Sequence, residues 1–237
     1  MEAARREQKF VFVERHKPLL QEWLGASVSA DPAYPGGMVT SLYFDTPGFD
    51  LYREKRNGDY LKSKLRLRWY VDERKGDADG EIPCFLEIKR KVGSVRRKAR
   101  LELSVPARCL RDRMFLDGTI ERLSERAYEL GGAHAVGSSL SSLMPVAVIR
   151  YDRLRFVEHA SASRIALDTN IRCERMNPML LCGQPPVHLS AGVLEVKGPG
   201  DTLPQSLRPV GRLLRKDSFS KYAACLARLV DPYGAVA

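Results

Sequence analysis

The heptapeptide KLRLRWY, residues 64–70, alternates apolar side chains with mostly cationic ones. In an extended strand, one face would carry the apolar members: Leu65, Leu67 and Trp69. The other face would carry the polar members: Lys64, Arg66, Arg68 and Tyr70. A half-buried strand normally shows solvent a mixture of polar groups, whereas this one shows a row of cations. The stretch therefore predicts a strand with a core on one side and anions on the other.

The same alternation recurs along the chain, with an apolar face opposite a charged face in each predicted strand. The charged faces carry, besides the first segment, Glu7, Lys9, Glu87, Lys89, Arg96, Lys98, Arg100, Glu102, Arg153, Arg155, Arg164, Asp168, Glu195 and Lys197. About eight such strands, mostly in sequential hairpins, predict an antiparallel sheet or barrel with helices outside. If the sheet closes, the charged faces line its interior, which then needs an anion to balance its cations.

Element boundaries follow from periodicity and from turn residues. Strands are predicted at 9–14, 38–46, 59–73, 82–92, 93–105, 143–159, 163–175 and 189–200. Helices are predicted at 16–26, 47–58, 106–116 and 119–130, with two more inside 203–230 that join near Asp217. A polar turn is predicted at 74–81, and the stretch 131–139 is rich in Gly and Ser. Because we find no repeat or low-complexity linker, we predict a single domain.

The bulk composition restricts the partners. The 237 residues include 39 Lys plus Arg against 29 Asp plus Glu, a formal net charge of +10. Such a surplus favours anionic partners. Five Cys form no CxxC pair, which argues against a structural zinc site and favours a reducing compartment. The N-terminus has no apolar signal core and no apolar run is long enough to cross a membrane, so we expect a cytoplasmic protein without a membrane segment.

The charged faces fit phosphate better than nucleic acid. Arg offers forked donors to phosphate oxygens and Lys offers mobile point charges. Four interspersed carboxylates make sense if Mg²⁺ or Mn²⁺ bridges them to phosphates: Glu87, Glu102, Asp168 and Glu195. The alternative role for each carboxylate is a salt bridge to a neighbouring cation. For Glu87 and Glu102 the sequence favours neither the metal-bridging role nor the salt bridge. No aromatic pair lies on the charged faces and no Gly-rich phosphate loop is present, so no nucleic-acid partner is expected.

Eight segments in chain order resemble one known family. They are SLYFDT (41–46), KLRLRWY (64–70), FLEIKRK (85–91), RRKARLEL (96–103), IRYDRLRF (149–156), RIALDT (164–169), LEVK (194–197) and FSKY (219–222). With them the chain resembles the VTC (vacuolar transporter chaperone) catalytic domain, a polyphosphate polymerase branch of the triphosphate tunnel metalloenzymes related to the CYTH proteins. The resemblance covers about residues 5–230 and implies a single VTC-like domain over that range. The resemblance implies an α+β fold, an eight-stranded antiparallel β-barrel tunnel with a polar, cationic interior and helices packed outside.

The resemblance also implies roles for individual residues. Phosphate binding would fall to Lys9, Arg66, Arg68, Lys89, Lys98, Arg153, Arg164, Ser220 and Lys221. Catalysis would involve Arg66, Arg68, Lys89, Lys98, Glu195 and Lys197, with Glu195 as the ligand of a divalent metal, Mn²⁺ or Mg²⁺. The implied partners are ATP and polyphosphate or triphosphate.

The implied activity is phosphoryl transfer, most simply polymerisation of polyphosphate from ATP with release of ADP. One alternative is a triphosphatase of the same fold, in which Glu87 would be the candidate base for water. A second alternative is a binding module without catalysis, for which Glu195 would bring little benefit. Eukaryotic members of the family also carry a regulatory domain and membrane helices, and we recognise neither in these residues, so vacuolar coupling is not expected.

Overall fold

The computed structural model describes residues 6–71, 80–93, 95–111, 114–131, 142–200 and 202–230. Most of the predicted turn at 74–81 and of the Gly/Ser-rich stretch at 131–139 lies outside these ranges. The described chain has a mixed α+β fold built on a large antiparallel sheet of eleven strands. None of its described helices has the length and apolar character that crossing a membrane requires.

Strands make up most of the regular structure in the described ranges. They are β1 Arg6–Val13, β2 Ser29–Ala30, β3 Gly36–Asp45, β4 Leu61–Val71, β5 Glu81–Val92, β6 Val95–Pro106, β7 Met144–Glu158, β8 Ser163–Met176, β9 Val187–His188, β10 Ala191–Gly198 and β11 Arg215–Lys216. The α-helices are α1 Lys17–Ser27, α2 Asp50–Asn57, α3 Gly118–Gly131 and α4 Lys221–Val230. Short 3-10 helices occupy Glu14–His16, Ala107–Leu110, Met114–Leu116 and Gln205–Leu213.

The strand pairing in the described ranges differs from the expected eight-stranded barrel. The strands of the sheet follow the order β11-β1-β10-β8-β7-β3-β4-β5-β6, with β2 on β7 and β9 on β8. No hydrogen-bonded pairing joins the two end strands, β6 and β11, within the described ranges. Eight of these strands have eight or more residues, as predicted, and the other three have two each. Closure is therefore not confirmed, because it depends on stagger and tilt across the whole sheet rather than on alternation within a strand.

The described chain groups into two compact units. The first unit draws on residues 1–38, 151–172 and 188–221, and the second on 39–150, 173–187 and 222–237. Strands β3, β7 and β8 each contribute residues to both units. The single domain over 5–230 stays a prediction.

In the first unit, α1 covers the apolar face of β1, β8 and β10. Leu20 and Leu24 of α1 are fully buried against Phe10, Leu194 and their neighbours. The helix begins with Pro18 in its first turn, where a missing N–H costs nothing. The indole N–H of Trp23 donates to the carbonyl of Ser206 at 2.7 Å and ties α1 to the 3-10 helix behind it.

In the second unit, α2 and α3 cover the apolar face of β4 and β5. The apolar members of the opening heptapeptide are all buried here, which confirms the predicted core face: Leu65, Leu67 and Trp69. Leu51 of α2 and Ile120 of α3 pack in the same core. Helix α2 ends at Asn57 and is followed by Gly58, which takes a left-handed conformation (φ 78°) that a side chain would strain. This ending matches the predicted one.

Two predicted helices are wrong. Where the structure describes 106–116, at 106–111 and 114–116, it shows two short 3-10 helices, Ala107–Leu110 and Met114–Leu116, rather than an α-helix. The first helix predicted in the tail is a 3-10 helix with Pro209 inside it, followed by β11. Proline has no N–H to donate and its ring clashes with the preceding turn, which prevents a regular α-helix. The second tail helix is present as α4 and begins at Lys221, after the predicted junction at Asp217.

Candidate functional site

The charged face of the first unit gathers residues from β1, β8 and β10. Lys9 lies opposite Glu195 in the β1–β10 pairing, and Lys197 lies opposite Arg164 in the β10–β8 pairing. Directly paired residues point to the same side of a sheet, so these side chains share one face. Asp168, opposite Val193, lies on that face too. The alternate positions face the apolar core described above, which is why the charges concentrate on this side.

Asp168 is the fully buried centre of the first group of ion pairs. Arg153 of β7 donates two hydrogen bonds to the Asp168 carboxylate, from Nε to Oδ1 at 2.5 Å and from Nη2 to Oδ2 at 2.6 Å. Lys221, the first residue of α4, donates from Nζ to Oδ2 at 2.5 Å. Burial by itself would raise the pKa of the Asp168 carboxyl, but Lys221 and Arg153 outweigh burial and lower it. The carboxylate is therefore ionised and has both oxygens engaged.

Glu195 is a second buried carboxylate on this face, with looser contacts. Its Oε1 accepts from Lys197 Nζ at 2.8 Å, and its Oε2 lies 3.9 Å from Arg153 Nη2. Burial opposes ionisation, yet attraction to Lys197, Lys9 and Arg153 holds the pKa of this carboxyl well below its ordinary value. Glu195 correspondingly raises the pKa of Lys197, against the effect of burial. We call Asp168, Glu195, Arg153, Lys197 and Lys221 the carboxylate cluster.

Further predicted residues surround the carboxylate cluster. Lys9 Nζ lies 3.4 Å from Glu7 Oε1 and donates to the Phe219 carbonyl at 3.4 Å. Arg164 is exposed, and Ser220 is buried beside Lys221 in the chain. The first unit thus brings together six of the expected residues, with Ser220 next to one of them: Lys9, Arg153, Arg164, Glu195, Lys197 and Lys221.

Two features of the carboxylate cluster were missed from sequence. The sequence marks Asp168 as one of four carboxylates that a metal could bridge to phosphates, whereas in the structure its two oxygens fix Arg153 and Lys221. The ring of Tyr151 lies beneath two cations, with its centroid 4.3 Å from Lys221 Nζ and 5.3 Å from the Arg153 guanidinium. Cations are attracted to aromatic faces at such distances. The available signal was spacing, because Tyr151 lies two residues before Arg153 and so shares its face.

The second unit assembles a separate group around Glu87, which we call the arginine cluster. Arg66 reaches the Glu87 carboxylate with Nε at 2.8 Å and Nη2 at 2.7 Å, and Arg68 Nη2 contacts the same oxygen. Lys98 Nζ lies 3.2 Å from the other oxygen. The Glu87 side chain is only 2% exposed. Burial would raise the pKa of its carboxyl, but Arg66 and Lys98 outweigh burial and lower it.

Of the two interpretations left open for Glu87, the salt bridge is the one that the structure shows. Glu102 also forms a salt bridge, 3.6 Å from Arg100, but its side chain is 76% exposed. Such an exposed pair contributes little to stability. Lys89, another expected residue, lies opposite Lys98 in the β5–β6 pairing. Three of the expected residues thus lie in the arginine cluster and a fourth, Lys89, lies next to it; the three are Arg66, Arg68 and Lys98.

Two tyrosines that the sequence did not predict as part of the site connect Arg66 to Asp45. Arg66 Nη1 donates to the Tyr43 hydroxyl at 3.2 Å. The Tyr43 ring stacks on Tyr222 of α4 with 5.0 Å between centroids, and Tyr222 donates to buried Asp45 at 2.8 Å. The positions lie inside two of the recognised motifs, SLYFDT and FSKY, but nothing in either motif alone shows that they meet.

The described residues offer one carboxylate, Glu195, as a protein ligand for a metal ion. Within the described ranges, no group of three or more His, Cys, Asp or Glu side chains is placed to hold an ion. Asp168 has both oxygens occupied, whereas the 3.9 Å contact leaves Oε2 of Glu195 able to take another partner. Mg²⁺ often binds through one or two carboxylates together with substrate phosphates and water. Glu195 therefore fits as a single protein ligand to a metal that arrives with a phosphate substrate.

Comparison with solved structures gives distant likenesses. A candidate adenylate cyclase from Bacillus halodurans matches with 12% identity and a TM-score of 0.46, over 82% of this chain and 80% of that one. A candidate adenylate cyclase from Vibrio parahaemolyticus matches with 13% identity and a TM-score of 0.46, over 94% of this chain and 97% of that one. No curated protein matches the sequence.

Comparison with family models is decisive. The model of the VTC domain matches residues 4–230, which is nearly the whole chain. The match includes every strand and helix that carries the carboxylate cluster and the arginine cluster. The chain therefore belongs to the VTC domain family.

Proposed function

We propose that the protein is a metal-dependent phosphoryl transferase that acts on a triphosphate, and that it makes polyphosphate from ATP with release of ADP. The observation that carries the proposal is Glu195, a buried and ionised carboxylate surrounded by Lys9, Lys197 and Arg153. A site built only to bind an anion gains little from a carboxylate in such a position. Membership of the VTC domain family supports the triphosphate as substrate and polymerisation as the reaction.

The proposed role of the cations is to hold and orient phosphate oxygens. Arg153 is fixed by Asp168 through two hydrogen bonds, so little of its conformational freedom remains to be lost on binding. Lys197 and Lys9 add positive charge beside the same carboxylates, with Lys197 paired to Glu195 and Lys9 to Glu7. In the second unit, Arg66 is oriented by Glu87 and by Tyr43. Preorganised positive charge of this kind stabilises the charge that develops during phosphoryl transfer.

The divalent cation would be held by Glu195 and the substrate. When bound, Mn²⁺ or Mg²⁺ supplies neutralisation of charge on the phosphate oxygens. Before the substrate arrives, Lys197 occupies one oxygen of Glu195 and balances its charge. This pairing keeps the carboxylate ionised and ready, as its lowered pKa indicates.

The environment of Glu87 favours transfer over hydrolysis. Attack by water needs a base, and Glu87 is the candidate named for it. Its carboxyl has a lowered pKa and contacts three cations, Arg66, Arg68 and Lys98, so it is a poor proton acceptor. A terminal phosphate of a growing chain is already anionic at neutral pH and needs no strong base. Transfer to a phosphate acceptor therefore fits this site better than hydrolysis, because it needs no general base.

The test is product analysis with ATP and Mn²⁺ or Mg²⁺. The purified chain is incubated with ATP, and the products are examined on a polyphosphate-staining gel and in a free-phosphate assay. The variant is Glu195→Gln, with Glu22→Gln on the exposed side of α1 as the matched control. We expect long anionic chains and ADP from the wild type and the control. The Glu195 variant should lose about 100-fold or more of this activity.

The other outcomes separate the alternatives. Free phosphate without chains would overturn polymerisation and indicate a triphosphatase. No product from the wild type, with tight polyphosphate binding retained, would indicate a binding module. Full turnover by both Glu195→Gln and Arg66→Ala would contradict the proposed mechanism altogether.

A further inference from the structure

Three tripeptides in the second unit align into a dense patch of positive charge. They are KSK (62–64) of β4, KRK (89–91) of β5 and RRK (96–98) of β6. The register places them side by side in three rows: Lys62–Lys91–Arg96, Ser63–Arg90–Arg97 and Lys64–Lys89–Lys98. Eight of these nine residues are cations and none is acidic. We call the nine residues the cationic block.

The cationic block is costly for the isolated fold. Like charges directly opposite one another across strands destabilise a sheet, and here they recur in every row. Charges on an edge strand do protect against edge-to-edge pairing, and β6 is at one end of the sheet. Protection of the sheet edge requires charges on β6 alone. It does not account for the five cations on β4 and β5, which both have neighbours on each side.

The first and third rows of the cationic block continue the charged face that bears the arginine cluster. Arg66, Glu87 and Arg100 form the next row along the same strands. Rows on one face are two residues apart, or roughly 7 Å. The only carboxylate in the adjoining row, Glu87, is already shared by Arg66, Arg68 and Lys98. An anionic chain bound at the arginine cluster would therefore meet further positive charge as it extends.

We infer that the first and third rows of the cationic block, which share a face with the arginine cluster, bind the extended chain of a linear polyphosphate, beyond the three phosphates required for phosphoryl transfer. This inference rests on the proposed function, because the arginine cluster supplies the end of the chain that the block continues. The block would make the protein prefer long chains over short ones as ligand and as acceptor. It assigns a binding role to Lys62, Lys91 and Arg96, which belong to neither cluster.

Polyphosphate suits the cationic block better than nucleic acid does. Proteins that bind single strands stack bases on aromatic side chains as well as contacting phosphates. None of the nine residues is aromatic. The nearby ring of Tyr60 is 74% exposed, although it lies so close to Gly93 that a β-carbon there would come within 2.7 Å of it. A chain of phosphates without bases needs only the closely spaced cations that the block provides.

The test compares long and short ligands in the full chain. The variant Lys62→Gln/Lys91→Gln/Arg96→Gln removes three charges from one row of the cationic block. The matched control Arg108→Gln/Arg122→Gln/Arg126→Gln removes three charges from exposed positions of the same unit. Binding of long-chain polyphosphate and of tripolyphosphate is measured at several salt concentrations, without divalent metal so that nothing turns over.

We expect the block variant to bind long-chain polyphosphate at least 10-fold more weakly and tripolyphosphate within 2-fold of wild type. The slope of log affinity against log salt for the long chain should become shallower by about 2. Each lost phosphate contact accounts for roughly 0.7 of this change, and the variant removes three contacts. The control should match wild type. Retained tripolyphosphate affinity also shows that the variant is folded.

Two results would overturn the inference. One is wild-type affinity of the block variant for long-chain polyphosphate. The other is single-stranded RNA that binds more tightly than polyphosphate and loses that affinity in the variant, which would make the block a nucleic-acid surface. Failure of the proposed function would look different: no turnover of ATP by wild type, while the chain-length effect in binding remains.

Discussion

Asp168 and Glu195 differ in what surrounds their charges, although both are buried carboxylates on one face. Asp168 is 0% exposed and is held by Arg153 and Lys221 at 2.5 to 2.6 Å. Glu195 has one close partner, Lys197, and one distant contact. These contacts engage both oxygens of Asp168, whereas Oε2 of Glu195 has only the 3.9 Å contact with Arg153.

Replacing Asp168 by Asn should destabilise the protein strongly. The substitution keeps the shape of the side chain but leaves Arg153 and Lys221 buried without their counter-charge. Removing one partner of a buried ion pair costs about 3–5 kcal/mol. Urea unfolding measures the loss, with Asp59→Asn at an exposed position as the control, where a change within about 0.5 kcal/mol is expected. Equal stability of the two variants would show that the buried pairs are not needed.

The stabilisation by Asp168 and Glu195 should fade in acid. Both carboxyls have pKa values in the folded protein below those of the unfolded chain, where Asp and Glu titrate near pH 4. Their contribution is complete above that range and is lost as the pH falls toward the folded-state values. The difference in unfolding free energy between wild type and Asp168→Asn should therefore shrink between pH 6 and about pH 3. A difference that stays constant over this range would contradict the pairing.

At the scale of elements, Asp45 joins the end of β3 to two helices. Its carboxylate accepts from the backbone N–H groups of Leu51 and Tyr52 in the first turn of α2, and from the Tyr222 hydroxyl of α4. Burial raises the pKa of the Asp45 carboxyl, although these hydrogen bonds oppose the rise. One side chain thereby caps α2 and fixes the start of α4, next to Lys221 in the chain.

Replacing Tyr222 by Phe should loosen this junction. The change removes the hydroxyl that donates to Asp45 and keeps the ring that stacks on Tyr43. Loss of one partner from a buried carboxylate costs about 1–3 kcal/mol. Chemical unfolding measures the effect, and Tyr34→Phe serves as the control because Tyr34 is 70% exposed. If both variants unfold like wild type, the hydroxyl of Tyr222 is not an anchor.

At the scale of the whole molecule, the charge of +10 makes the protein responsive to anions. Any salt screens the general repulsion, but only a ligand that fits the preorganised cations binds the folded state specifically. The two effects can be separated by comparing anions at equal ionic strength.

Tripolyphosphate should raise the melting temperature much more than sulfate does. At 100 times its Kd, a ligand stabilises the folded state by about 2.7 kcal/mol, which for a chain of this size shifts the midpoint by about 5–11 °C. Thermal unfolding with each anion at matched ionic strength provides the measurement. An equal shift from sulfate would mean that charge screening, rather than a phosphate site, stabilises the protein.

Much of the fold follows from local patterns, and the failures have local causes as well. The alternation in residues 64–70 predicts the buried face of β4 correctly, and Gly58 marks the end of α2. The helix expected before Asp217 is a 3-10 helix because Pro209 interrupts it. The closed barrel was an expectation from family resemblance, and the hydrogen-bonded order from β11 to β6 does not confirm it.

The candidate site was predicted less completely than the strands that carry it. Spacing and motifs identified Arg66, Arg153 and Glu195, but they gave no role to Tyr43 or Tyr151, which contact the cations. An aromatic residue in a strand looks the same in sequence whether it packs in the core or supports an arginine. The distinction depends on which side chains lie across the neighbouring strands.

The sequence by itself determined which side chains share a face, because alternation along a strand has a period of two and is a local property. It thereby placed cations and a few carboxylates opposite the core, whatever the order in which the strands pair. Only the tertiary structure decided how those charges pair, since register joins residues far apart in the chain, as in Lys9 with Glu195 and Arg66 with Glu87. That pairing brings three cations onto the buried carboxylate of Glu87, whereas Oε2 of Glu195 keeps only a 3.9 Å contact with Arg153. The difference in contacts is the basis for proposing that Glu195, rather than Glu87, takes part in catalysis.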